Sequence, residues 1–137
     1  MAKPITSNLL RTILSRCMII SARESRTNES RVSHYDHYSF IVCKNEVVEW
    51  GRNRTFQIPP VHWGYNEHQG IHSELSAYLK AAGLLKDRDF GVVNIRLSTN
   101  LNLLNSKPCQ NCVNLLRSLG ASWVYYSTED GFKRMKL

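Results

Sequence analysis

The hydrophobic period of this chain switches repeatedly between that of a helix and that of a strand, and the alternation confines it to the α/β class. Leu9, Ile13, Cys17 and Ile20 recur at helical spacing, with Leu10 and Leu14 beside them. They predict a helix over about 6–22 with Ser7 as its cap. Residues 23–36 are polar and serine-rich and read as a loop. Tyr38-Ser39-Phe40-Ile41-Val42-Cys43 is a β-forming run, and Lys44-Asn45 makes a tight turn into Glu46-Val47-Val48-Glu49-Trp50. Gly51 closes this hairpin. The stretch 52–70 carries Pro59, Pro60, Gly64 and Gly70 and reads as one long loop, a feature that in small domains is often functional.

The second half repeats the alternation. A helix begins near Ile71, with Ile71, Leu75, Tyr78 and Leu79 on one side and Gly83 near its end. Phe90 to Leu97 is the next strand, and Asn100 to Asn105 is a connection. Pro108 suits the first position of a third helix, Leu115, Leu116 and Leu119 give it an apolar face, and Gly120 stops it. Ser122 to Ser127 is a strand, Glu129-Asp130-Gly131 a hairpin turn, and Phe132 to Leu137 a final antiparallel strand. No internal repeat interrupts the order, and 137 residues fit one domain, 1–137. A chain of this size buries roughly two thirds of its unfolded surface, so it needs no disulfide staple.

Charge and cysteine content narrow the partners. Lys and Arg number 18 against 11 Asp and Glu, a formal charge of +7, which favours a phosphate-bearing partner. No apolar run is long enough to span a bilayer, so no membrane partner is expected. The first 23 residues carry Arg and Ser but no acid before Glu24, a weak likeness to a mitochondrial transit peptide. The preferred reading is the domain's own first helix in a cytoplasmic protein, whose reducing setting suits four free thiols, Cys17, Cys43, Cys109 and Cys112.

Two short motifs carry the chemistry: His72-Ser73-Glu74 at the start of the second helix, and Pro108-Cys109-Gln110-Asn111-Cys112 at the start of the third. Alone, the histidine reads as structural, and Cys-x-x-Cys as a redox pair or half of a structural zinc site. Together they offer three zinc ligands and a spare carboxylate. Structural sites close four protein ligands, whereas three ligands with water in the fourth position is the catalytic arrangement. Cys109 and Cys112 share one face in the first turn of a helix, where the dipole and free N–H groups favour thiolate. Glu74, two residues beyond His72, is close to the metal yet free to move protons.

His-x-Glu followed by Pro-Cys-x-x-Cys resembles the zinc-dependent cytidine/deoxycytidylate deaminase superfamily, and the resemblance covers nearly the whole chain from about residue 6. It implies a cytidine deaminase-like three-layer fold: a mixed five-stranded sheet flanked by helices, its C-terminal strand pair antiparallel. It implies one catalytic Zn2+ on His72, Cys109 and Cys112, with water or hydroxide as fourth ligand. Glu74 would pass a proton from that water to the ring nitrogen and help the amine leave as ammonia, with attack at C4 of cytosine or C6 of adenine. The Ser73 N–H and the carbonyls near Ser106-Lys107 would bond the base edge. Asn53, in Gly51-Arg52-Asn53, matches the family's Gly-x-Asn, whose asparagine contacts sugar or base. A homo-oligomer is expected by the same likeness. Free cytidine deaminases place cysteine where His72 stands and glutamate where Thr55 stands, whereas the polynucleotide and deoxycytidylate branches use histidine.

Substrate class rests on the loop and the charge. Trp63, with Phe56, His62, Tyr65 and His68 in the same loop, could stack on a base. Arg52 and Arg54 flank Asn53 as phosphate contacts. Arg11, Arg16, Arg23, Arg26 and Arg31, and at the other end Lys133, Arg134 and Lys136, would form a backbone-binding stripe if they converged. Compact size and the terminal hairpin favour a cytosine nucleoside or nucleotide as substrate. Basic charge and the histidine ligand favour cytosine, or adenine, in single-stranded DNA or RNA. The alternative of another class is a non-catalytic zinc-stabilised nucleic-acid-binding domain.

Overall fold

In the computed structural model, residues 4–27, 35–53, 72–85, 88–98 and 100–137 are described. The element order is α1 (Ser7–Thr27), β1 (Tyr35–Cys43), β2 (Glu46–Arg52), α2 (Ser73–Ala81), β3 (Phe90–Ser98), β4 (Leu103–Leu104), α3 (Gln110–Ser118), β5 (Ala121–Thr128) and β6 (Gly131–Lys136). A 3-10 turn, Ala82–Leu84, extends α2. The sheet runs β2-β1-β3-β5-β6, with β4 paired to β3. Among the described residues only β3 and β5 are parallel; every other neighbouring pair, the C-terminal β5–β6 pair included, is antiparallel.

The sheet therefore has six strands rather than the expected five. The extra one is β4, inside the stretch read as a plain connection. Leu101 takes a left-handed φ of 63°, and Ser98 and Asn102 close a tight reversal through Ser98 N–H to Asn102 O. This folds Leu103 and Leu104 back onto Leu97 and Arg96. Two residues are too few for a period-two signal, which is why the sequence hides the strand.

Local chemistry shapes the other boundaries. The β1–β2 turn places Lys44 and Asn45 at φ 49° and 60°, the doubly left-handed geometry that matches the twist of a two-residue hairpin. The hydroxyl of Thr6, not of Ser7, accepts the Leu9 N–H and caps α1, and the helix runs on to Thr27. Pro108 lies two residues before the first residue of α3, because Cys109 takes the extended backbone of the cap. Leu79, expected on the apolar side of α2, is exposed.

The core has two main layers, one on each face of the sheet. α1 lays Ile13 and Cys17 on Tyr38, Phe40, Val42, Val93, Ile95, Leu97 and Trp123. On the other face Ala77 and Ala81 of α2 and Leu116 of α3 meet Ile41, Cys43, Phe90, Val92 and Val124. Central β3 is covered on both sides, and it reads as a near-continuous apolar run for that reason. No helix among the described residues is long and apolar enough to cross a membrane.

Candidate metal centre

Both motifs stand at helix starts on the same face of the sheet. His72 is the cap residue of α2 and Cys109 that of α3, each with extended backbone. Gly51 lets α2 press onto β2: a Cβ there would lie 2.5 Å from the Ala77 backbone nitrogen. The first turn of α2 is thereby seated against the sheet, with Ser73, Glu74 and Leu75 all buried.

The three donors converge. His72 Nδ1 is 3.6 Å from Cys109 Sγ and 3.3 Å from Cys112 Sγ, and the three ligand atoms lie within 4.8 Å of one another. A tetrahedral zinc, with bonds of about 2.05 Å to nitrogen and about 2.3 Å to sulfur, holds such a nitrogen–sulfur pair about 3.6 Å apart. The residues present therefore fit one zinc ion, and among the described residues no fourth protein donor joins the group. Cys112 is buried, His72 half-buried and Cys109 exposed, so the cluster opens on one side.

Electrostatics agrees with the donor set. The Cys109 thiol is pushed down to about 4, chiefly by the hydrogen bond from the Cys112 side chain, with the His72 contact and the Cys112 N–H adding to it against burial. The cap geometry causes part of this, since Cys109 Sγ accepts the Cys112 N–H at 3.5 Å. His72 is raised by its bond to Cys109, against burial. Metal binding needs the imidazole neutral, so it would release the proton this pair holds.

Behind the donors lies a ring of buried hydrogen bonds. Glu74, 2% exposed, accepts the Ser73 hydroxyl on Oε1 at 3.1 Å and the Asn94 Nδ2 amide on Oε2 at 3.1 Å. Ser39 donates to Asn94 Oδ1 at 2.6 Å and sits 2.7 Å from the Ser73 hydroxyl, which closes the ring. Asn94 also donates to the Ser106 carbonyl at 3.3 Å, and the Ser106 hydroxyl returns to Asn94 O at 2.9 Å.

The next row along the strands is polar as well. Ser39 pairs with Gly51 and Asn94, and two residues further on His37 pairs with Arg96 and accepts the Asn53 N–H at 3.3 Å. Strand alternation puts Asn53, His37 and Arg96 on the face that carries the metal donors. Among the described residues His37 Nε2 is buried without a hydrogen-bond partner, and burial holds this imidazole below its ordinary value against the pull of Glu74.

The structure thus groups His72, Glu74, Cys109, Cys112, Ser73 and Ser106 at one end of the sheet, with half-buried Asn53 in the adjoining row. Lys107 follows Ser106 exposed, its N–H held by Asn105 Oδ1 at 2.9 Å. Arg52, expected beside a phosphate, instead lies 5.3 Å over the Tyr38 ring on the α1 side of the sheet. Trp63, Phe56, His62, Tyr65, His68, Arg54 and Thr55 lie outside the described residues, as do the side chains of Arg26 and Arg31. Arg11, Arg16 and Arg23 do converge, lining a hollow of about 590 Å³ with Ile19 and Ile20, but on α1, across the sheet from the donors. Lys133, Arg134 and Lys136 are exposed on edge strand β6. Sequence reasoning passed over Ser39, Asn94, His37 and Arg96. The signal for Asn94 was there: a lone amide inside an otherwise apolar central strand needs a buried partner.

Comparison with protein-family models and with curated proteins gives no match.

Proposed function

We propose that this protein is a zinc-dependent hydrolytic deaminase that converts a cytosine nucleoside or nucleotide to its uracil form and releases ammonia. The observation that carries the reading is Glu74: a buried carboxyl two residues from a three-donor metal cluster, outside its ligand set, with both oxygens held in place. A purely structural metal site has no use for such a group. The two-face layering of helices on a mixed sheet is the architecture the deaminase likeness implies.

Zinc, when bound, supplies a Lewis acid that brings the ionisation of water toward neutral pH. The chain's residues do the rest. Glu74 takes a proton from the attacking water and hands it to the ring nitrogen as the water oxygen adds to C4. It then takes the remaining proton from the hydroxyl added at C4 and gives it to the amine as the C4–N bond breaks, so that water and cytosine become uracil and ammonia. The Ser73 N–H and the Ser106 carbonyl orient the base edge, and Asn53 reaches the sugar. Arg11, Arg16 and Arg23 on α1 favour a second reading, a single-stranded nucleic acid as the carrier of the base, whose strand would have to continue round the sheet.

The test is turnover. Zinc-loaded protein is incubated with cytidine, deoxycytidine, CMP, dCMP, adenosine and single-stranded oligonucleotides, and ammonia and product base are measured. Turnover of cytosine monomers is expected. Glu74→Gln should keep its zinc and lose about 10²- to 10⁴-fold in rate, the usual worth of a positioned acid–base group. A zinc-loaded protein that acts on none of these compounds would refute the proposal, and salt-sensitive oligonucleotide binding alone would point to a binding domain.

A further inference from the structure

We infer that Asn94 is a positioning residue, which fixes the Glu74 carboxyl and the Ser106 carbonyl relative to each other and to the metal donors. The inference rests on the deaminase reading for what Glu74 does; the ring itself does not.

Every hydrogen-bonding group of the Asn94 side chain is used. Nδ2 donates to Glu74 Oε2 and to the Ser106 carbonyl, and Oδ1 accepts from Ser39. With all three bonded, the amide has one orientation only, because a flip would set its oxygen against two acceptors. The amide is fully buried at the centre of β3. Its backbone is held on one side by β1, through the Ser39 register, and on the other by β5, through the Tyr126 register. The Ser106 hydroxyl bonds its carbonyl at 2.9 Å. The amide is therefore a fixed post on the central strand of the sheet.

The post faces two groups that come from separate segments. Glu74 belongs to the first turn of α2, and Ser106 to the loop that leads into α3, so each travels with a helix that carries metal donors. Asn94 sets the spacing between them. Apolar packing could have seated α2 alone, as Ala77 and Ala81 do further along it. A buried polar ring costs desolvation that a methyl would not, and it gives in return a single geometry. Here that geometry is imposed on the carboxyl that moves the proton. The Ser73–Ser39 arm holds the other carboxyl oxygen, so the plane of the carboxyl is fixed as well as its place.

The experiment combines kinetics with a probe that needs no turnover. In 13C,15N-labelled protein, the Asn94 side-chain amide, assigned through its own Cβ and Cγ, should shift and exchange faster with solvent in Glu74→Ala. Asn94→Leu, close in volume, should bind zinc as wild type does and lose about 10- to 100-fold in kcat, the scale of a misplaced group, with KM changed by less than about threefold. Ser73→Ala keeps the backbone N–H and should lose about 2- to 10-fold, the worth of one neutral hydrogen bond. A folded, zinc-loaded Asn94→Leu with wild-type kcat overturns the inference, as does an amide indifferent to Glu74→Ala. If Asn94→Leu fails to fold, Ser73→Ala and the amide decide. A wild-type protein without turnover sinks the functional reading, and the amide then judges the ring by itself.

Discussion

The two faces of the sheet are built from alternate residues of the same strands, and they differ at one end: both carry an apolar layer, but the α2–α3 face turns polar where its helices start. On the α1 face, β1 and β3 offer Tyr38, Phe40, Val42, Val93, Ile95 and Leu97, all at most 1% exposed and packed on helix side chains. One residue along, on the α2–α3 face, the same strands offer His37, Ser39, Asn94 and Arg96 to the helix starts. A shared backbone ladder therefore carries two designs, apolar layers that supply stability and, at one end of one face, a polar patch that spends some of it on geometry. A strand that turns alternate side chains to opposite faces can do both without conflict.

The largest effect that would break this division is metal loss. Cys109→Ala should take the zinc content, read by elemental analysis, from one ion per chain to near none, whereas Cys17→Ala on the opposite face should leave it unchanged. Full occupancy in Cys109→Ala would show that the donors are misassigned. Next in size is Phe40→Ala. Phe40 is fully buried and stacks on Trp50 at 6.0 Å, and its truncation should cost about 3–5 kcal/mol in urea melts. Zinc content and turnover per folded molecule should hold, and their collapse at unchanged stability would join the two faces that the structure separates.

The smallest effect sharpens the contrast through pH. Folded His37 is held below 6.5, its ordinary value, by burial. As pH falls below that value, the unfolded chain takes up a proton that the folded one resists, so stability drops. Above it both forms are neutral and the residue is silent. His37→Gln should therefore match wild type's pH dependence above about pH 7 and lose less stability on acidification, while the cost of Phe40→Ala stays level across the range. Parallel curves for wild type and His37→Gln would mean that His37 is not held neutral beside the metal donors.

How much of this could be read in advance depends on the range of the interactions. The hairpin was legible because Lys44-Asn45 sits between two β-forming runs and its chemistry is local. The donors were legible because each motif is three to five residues long and contains its own spacing. Ser39, Asn94, His37 and Arg96 were not, because what unites them is register across strands, which no single segment encodes. The α1 end was misjudged at 22 because residues 23–27 lack an apolar stripe, yet the helix carries on to Thr27. Arg52 was misread for a simpler reason: one residue of register separates it from Asn53, and that turns it to the other face.

The helix starts that bear His72 and Cys109 have one more consequence. They lie 37 residues apart in the chain, and the cluster that joins α2 to α3 near them holds only Leu75, Cys112 and Leu115, with Leu119 against it. An ion gripping both is then a rivet as well as a reagent, closing a large loop beside that small cluster and the Asn94 bonds. Because only the folded chain presents all three donors together, each rise in free zinc tightens the joint by mass action. The melting temperature of such a molecule is a gauge of the metal around it.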